Sequence, residues 1–246
     1  KTLEVAGPMR ITDGLSNVCD LSVVQALGEY DTGTKIVASD RASYDYLGDD
    51  KGVSMSGDGT KVIVGAKGDD PAGSAYIFAY NSSSSSWAQE QKIQAPSPAN
   101  SRTFGSTVAI NENGTKVYVG EPGGNSGKGH ILVYTYNGSS WSQVDQITGS
   151  DTANQSWLGH SGPNNHGTSM SLSRDGTVLA VFAYMYNVGS YGRAYIFKYN
   201  GSSWSEQEYL NGSNGGAYFG SALALSDDGT TLIVGALGNT SSGNTE

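Results

Sequence analysis

A tight-turn signature, Asp or Asn followed by Gly and Thr, recurs along this chain at a nearly constant interval. It stands at Asp58-Gly59-Thr60, Asn113-Gly114-Thr115, Asp175-Gly176-Thr177 and Asp228-Gly229-Thr230, with the glycines 55, 62 and 53 residues apart. A fixed period of this size marks a repeat architecture in which each copy is one supersecondary unit. Each signature lies between two short alternating segments, such as 221–225 and 231–234. Asp-Gly and Asn-Gly accept the positive φ angles of a two-residue type I′ turn, so each copy reads as a β-hairpin.

A second hairpin follows in each complete copy. It opens with Gly73-Ser74-Ala75-Tyr76-Ile77-Phe78, Gly129-His130-Ile131-Leu132-Val133-Tyr134 and Gly192-Arg193-Ala194-Tyr195-Ile196-Phe197. The period of two puts Tyr76, Phe78 and Tyr80 on one strand face, as it does Leu132, Tyr134 and Tyr136, and Tyr195, Phe197 and Tyr199. Ala75, Ile77 and Ala79 take the other face in the first copy, so both faces are expected to be buried. Polar turns at 81–86, 137–140 and 200–203 lead to Trp87, Trp141 and Trp204, which open fourth strands ending at Ile93, Ile147 and Leu210. The recurring aromatics read as packing between units rather than as a carbohydrate ladder.

Four antiparallel strands per repeat describe one blade of a β-propeller, and a blade with two apolar faces needs neighbours. The expected fold is all-β: a β-propeller of four-stranded antiparallel blades, partial in this chain. Complete blades are expected at 52–93, 105–147 and 167–210, with a partial one at 220–246. Residues 1–47 form an N-terminal segment with a partial blade, in which Asp31-Thr32-Gly33-Thr34 and Lys35-Ile36-Val37-Ala38 read as an inner hairpin. Closed propellers have about four to eight blades, so the chain is expected to be a fragment of a larger propeller. Alternatively, 2–11 supplies a strand to the last blade, within the chain or in a neighbouring copy, giving self-assembly through open blade edges.

Composition excludes other classes. Glycine (35 residues) and serine (34 residues) fill about 28% of the 246 positions, a level at which disorder competes with folding. Fifteen Tyr, four Trp and repeated Val, Ile and Leu runs supply a core that disordered chains lack. The glycines are therefore assigned to turns. Net charge is −9 with 15% charged residues, and no basic stripe is present to meet phosphates, so nucleic acid is not an expected partner. No run of apolar residues is long enough for a spanning helix, so direct membrane insertion is not expected. No apolar leader opens the chain, which is read as processed or cut from something larger. Cys19 is the single cysteine and reads as a small buried residue.

With these residues in place the chain resembles the FG-GAP repeat family, propeller repeats of integrin α subunits and of many secreted or cell-surface proteins of microbes and algae. The first name-giving pair is present as Phe104-Gly105 and Phe219-Gly220, with His166-Gly167 taken as its equivalent in the third copy. The second motif is present as Gly65-Ala66-Lys67, Gly120-Glu121-Pro122 and Gly235-Ala236-Leu237, and is degenerate at Phe182-Ala183-Tyr184. The resemblance covers about residues 48 to 243. Many repeats of the family hold calcium in the loop between the first two strands. Here that loop is too short and too poor in carboxylates for the six or more oxygens that Ca²⁺ takes, so no metal and no cofactor are expected.

In propellers the loops joining strands two to three and four to one share the face that usually binds partners. On it, the connection from Ile147 to Gly167 is the longest and carries Trp157, His160, Asn164, Asn165 and His166 as candidate ligand-binding residues. An aromatic beside amides and imidazoles can stack on a sugar or hold a partner's side chain. The competing reading is a self-packed loop in which Trp157 covers a blade edge. His160 and His166 lack a third ligand at zinc spacing. No Gly-x-Ser-x-Gly elbow or other nucleophile arrangement occurs, so no catalytic residue is assigned and the chain is not expected to be an enzyme. Asp40, Asp45, Asp49 and Asp50 read as a solvated acidic loop.

Seven N-glycosylation sequons occur, of which Asn81, Asn137 and Asn200 stand at turn tips and are the expected glycan sites. The expected function is that of a non-catalytic extracellular or cell-surface adhesion or structural glycoprotein. It would present loops to protein or glycan partners and could build an appendage or coat. The alternatives are a lectin-like carbohydrate-binding module using the 148–166 loop, or the docking domain of a larger secreted enzyme.

Overall fold

A computed structural model describes residues 12–14, 18–23, 34–49, 52–69, 71–97, 103–150, 156–160, 170–184, 192–211 and 218–237. Their strands form five antiparallel sheets, each a simple meander. The first holds β1 (Thr12–Gly14), β2 (Val18–Val23) and β3 (Thr34–Ile36). The second holds β4 (Val53–Met55), β5 (Lys61–Ala66), β6 (Ser74–Asn81) and β7 (Ser86–Gln94). The third holds β8 (Val108–Ile110), β9 (Lys116–Glu121), β10 (His130–Tyr136) and β11 (Trp141–Ile147). The fourth holds β12 (Met170–Leu172), β13 (Val178–Ala183), β14 (Arg193–Tyr199) and β15 (Trp204–Asn211). The fifth pairs β16 (Tyr218–Leu225) with β17 (Leu232–Leu237). The first strands β4, β8, β12 and β16 stand beside one another, the arrangement of propeller blades around an axis.

The hairpin turns between first and second strands are wider than the two-residue type I′ form. Ser56 N–H donates to the Lys61 carbonyl at 2.9 Å, and only Gly59 of the four residues between them has positive φ, at 70°. The side chains close the loop. Asp58 Oδ1 accepts from Ser56 Oγ at 2.6 Å, Thr60 N–H at 2.9 Å and Thr60 Oγ1 at 2.8 Å. Asp175 and Asp228 repeat this arrangement, and Asn113 does so with Asn111 in the serine's place. This accounts for the threonine in every copy. The bonds from Ser226 and Thr230 hold the Asp228 carboxyl down at about 2.

The wedge between sheets is apolar. Tyr76 and Phe78 pack with Ile36 and Ala38, Leu132 and Tyr134 with Ile77 and Ile93, and Tyr195 and Phe197 with Ile131 and Ile147. Each third-strand aromatic face thus meets the preceding sheet, as its recurrence at one register requires. At the outer end Tyr136 and Trp141 meet at a tilt, with centroids 5.2 Å apart. Lys61 of the preceding sheet lies 4.2 Å over the Tyr136 ring and pairs with Glu90, which also accepts the Trp141 indole N–H at 2.7 Å. Backbone bonds tie the turns together: Gly57 N–H to Glu112 O, Glu112 N–H to Arg174 O, and Arg174 N–H to Asp227 O.

Two sequence assignments change. β3 is the outermost strand of its sheet rather than part of an inner hairpin. Ile36 faces Leu21 across the ladder as Ile93 faces Ala75 and Ile147 faces Ile131, and it packs onto the next sheet as they do. The third Phe-Gly equivalent is Leu158-Gly159. Gly159 N–H donates to Phe182 O at 2.8 Å, matching Gly48 to Gly65 O at 2.8 Å and Gly105 to Gly120 O at 3.0 Å. Leu47-Gly48 fills the same place in the second sheet. The position needs bulk, not aromaticity: Leu47 and Leu158 are buried like Phe104. His166-Gly167 and residues 2–11 lie outside the described residues.

Phe197 is 1% exposed between two sheets. Phe197→Ala is expected to lower the free energy of unfolding by about 3–5 kcal/mol. Urea titration checks this, and a loss below about 0.5 kcal/mol would contradict the blade packing.

Candidate functional site

The structure brings three repeats into register on one face through a shared backbone feature. The residue before each Phe-Gly equivalent, Tyr46, Thr103 and Trp157, has positive φ at 55°, 54° and 47°. In the first of these repeats Tyr46 neighbours Lys67, whose Nζ lies 5.9 Å from the Tyr46 ring centre and 3.4 Å from Asp49 Oδ2. In the third, the corresponding residues are Trp157, His160 and Tyr184. Between them the second repeat has the small residues Thr103, Ser106 and Pro122.

Trp157, His160 and Tyr184 form a ring layer, with centroids 5.3 Å apart for Trp157 and His160, 5.5 Å for Trp157 and Tyr184, and 5.8 Å for His160 and Tyr184. The Trp157 and Tyr184 planes are within 10° of parallel. Trp157 is half-buried between His160 of its own loop and Tyr184 just past the end of β13. Burial, reinforced by the positive charge of Lys67, pushes the His160 imidazole down to about 4, so it is neutral near pH 7. Asn164, Asn165 and His166 lie outside the described residues. The structure joins Trp157 to His160 and adds Tyr184 and Lys67, which arrive from the second-to-third strand loops and carry no local sequence signal.

Of the acidic group at 40–50, Asp40 stays exposed yet is tied to the neighbouring sheet, Asp49 is partly exposed, and Asp45 is buried. Lys92 Nζ sits 2.7 Å from Asp40 Oδ2 and 2.7 Å from Asp69 Oδ2. Tyr76 Oη donates to Asp40 Oδ1 at 2.9 Å. The Lys92 hydrogen bond leads in holding the Asp40 carboxyl below its ordinary value. Asp45 is buried and accepts from the Ala42 N–H at 2.5 Å, and burial raises its carboxyl. Lys92 and Asp69 lie far along the sequence, so only the fold assembles this cluster. Asp50 lies outside the described residues.

A second buried pair replaces the alanine of the Gly-Ala motif. Glu121 Oε2 is 2.5 Å from His130 Nε2 on the sheet face toward β6, and both side chains are buried. His130 Nδ1 and Tyr134 Oη make no hydrogen bond. Desolvation offsets the attraction in such a pair, so it is no argument for stability. Among the described residues no group of three or more His, Cys, Asp or Glu is placed to hold a metal ion. Asn81, Asn137 and Asn200 are exposed. Each builds its turn: Asn137 Oδ1 accepts from the Ser139 and Ser140 N–H groups at 2.9 Å, and Asn200 Oδ1 from those of Ser202 and Ser203 at 2.9 Å. Cys19 lies in β2 opposite Asp13.

Residues 31–78 match the family model of the FG-GAP repeat. The matched segment covers about a fifth of the chain. It begins before β3 and ends in β6, so the FG-GAP unit straddles two sheets, with Leu47-Gly48 and Gly65-Ala66-Lys67 as its name-giving pairs. No curated protein matches the chain. Among solved structures, a candidate 6-phosphogluconolactonase from Bacteroides uniformis aligns at TM-score 0.57 and 13% identity, over 89% of this chain and 57% of that one. One from Bacteroides fragilis aligns at 0.54 and 15%, over 89% and 57%. Kuenenia stuttgartiensis hydrazine synthase aligns at 0.54 and 12%, over 91% and 65%. The chain thus spans less than two thirds of each of these structures. At such identities the likeness concerns the β-propeller fold alone.

Because His160 stays neutral in the fold down to about pH 4 while the unfolded imidazole protonates near 6.5, acid favours the unfolded chain across that window. Stability should fall as pH drops from 6.5 toward 4, with His160 contributing no more than about 3 kcal/mol. His160→Phe keeps a ring in the layer and should flatten the slope above pH 5. Urea midpoints across pH check this, and an unchanged slope would contradict it.

Proposed function

We propose that this chain belongs to a non-catalytic extracellular or cell-surface β-propeller that displays loops to a partner. The observation that carries the reading is the use made of its polar side chains. The turn aspartates, Lys61 with Glu90, and Lys92 with Asp40 and Asp69 are all engaged in closing turns or joining sheets. The face bearing Tyr46, Lys67, Trp157 and Tyr184 varies from repeat to repeat over a constant backbone, as a display surface does. The FG-GAP repeat and the exposed turn asparagines support a secreted setting, with glycans on Asn81, Asn137 and Asn200. The open edge of β17 among the described residues supports edge pairing with another copy as a route to a coat or appendage.

The test is antibody labelling of intact source cells together with intact-mass measurement of the native protein. Labelling without permeabilisation and mass removable by a peptide N-glycosidase are expected. Labelling only after permeabilisation, with a mass equal to that of the bare sequence, would overturn the proposal.

A further inference from the structure

The loop between β3 and β4 holds two large aromatic rings out in water at a backbone cost. Tyr44 is 61% exposed and Tyr46 44% exposed, and their rings meet edge to face at 6.5 Å. Both have positive φ, 72° and 55°. This conformation costs a non-glycine residue on the order of 1 kcal/mol or more and persists only where the surroundings impose it. At Tyr46 it is the rule of the repeat, shared with Thr103 and Trp157. At Tyr44 glycine would relieve it.

The surroundings that impose it are on the same face. The buried Asp45 carboxylate accepts the Ala42 N–H, the Asp45 carbonyl accepts the Gly68 N–H at 3.1 Å, and Asp49 N–H donates to Tyr46 O at 3.2 Å. Gly68 admits this close approach, since a Cβ there would run into the Tyr44 carbonyl oxygen. The backbone that presents the rings is therefore held before any ligand arrives, which lowers the entropic cost of binding. Arg41 is exposed in the same loop, and Lys67, paired with Asp49 at 3.4 Å, lies over the Tyr46 ring at 5.9 Å from its centre.

We propose that Tyr44 and Tyr46 form a preorganised platform for the pyranose rings of a polysaccharide, with Arg41, Asp49 and Lys67 meeting the hydroxyls. A pyranose offers an apolar C–H face to the electron-rich face of an aromatic ring and hydroxyls at its edge, which matches two exposed rings bordered by charged groups. A stable protein interface instead needs a broad, well-packed patch with few charges at its centre. The platform rests on the display reading above and names the ligand class for it.

The chain is run through affinity gels containing hydroxyethylcellulose, mannan, laminarin or dextran, and is mixed with chitin and cellulose particles. At least one polysaccharide is expected to retain it. Tyr44→Gly is expected to cut that retention about tenfold or more, a loss of about 1.4 kcal/mol. Its melting temperature should be unchanged or raised, because glycine takes φ 72° without strain. Tyr209→Ala, at another exposed tyrosine, should retain binding. Retention by none of the polysaccharides overturns the platform, as does retention that survives Tyr44→Gly. Self-association that is lost in Tyr44→Gly, with no glycan bound, assigns the rings to a second copy and also overturns it. In each case surface labelling of intact cells still decides the display reading separately.

Discussion

The fold depends on backbone meeting backbone between neighbouring sheets, at points where no side chain fits. A Cβ on Gly65 would run into the Gly105 carbonyl oxygen of the next sheet, and one on Gly105 would run into the Ser74 carbonyl oxygen. Gly73 and Gly129 make the same kind of approach to the backbones of Phe104 and Leu158, and Gly192 to that of Phe219. The two glycine motifs that name the repeat are thus the two sides of one junction. The bulky residue ahead of the second glycine fills the wedge beside it. Where the first glycine is replaced, by Phe182, its ring takes up the space next to Gly192 and Gly220.

That junction fixes the spacing of the sheets, and the apolar wedge follows from it. Once the backbones are in register, third-strand rings reach the preceding sheet, and the outer Trp141 reaches its lysine and glutamate. The face that carries loops inherits the same register. Equivalent positions hold Tyr46, Asp49 and Lys67 in one repeat and Trp157, His160 and Tyr184 in another. Repetition supplies the frame, and substitution at three positions per repeat supplies chemistry. Desolvation decides what that chemistry can be: His160 is kept neutral, while Glu121 and His130 are enclosed as a pair.

Much of the fold was legible because strand periodicity is local. Tyr76, Tyr195 and the tryptophans declare their faces within a few residues, and the Asp-Gly-Thr turns declare where sheets fold back. Two junction residues escape a pattern that asks for an aromatic ahead of glycine, because the wedge also accepts Leu47 and Leu158. β3 was misplaced because Thr34 to Ala38 alternates like any strand, and only its ladder partner Leu21 shows which edge it occupies. The loop-face chemistry was less legible. Trp157 and His160 stood out by composition, but Tyr184, Lys67 and Lys92 join their clusters through contacts between repeats. The strained backbone that presents Tyr44 has no sequence signature.

The most direct test of this account is the unfolding free energy of Gly65→Ala. Gly65 does not have positive φ, so the substitution adds only a methyl group at the junction. An overpacked backbone contact of this kind predicts a loss near the top of the usual overpacking range, about 3 kcal/mol. A loss below about 1 kcal/mol would show that the sheets do not meet there, and would contradict the arrangement from which the rest was derived.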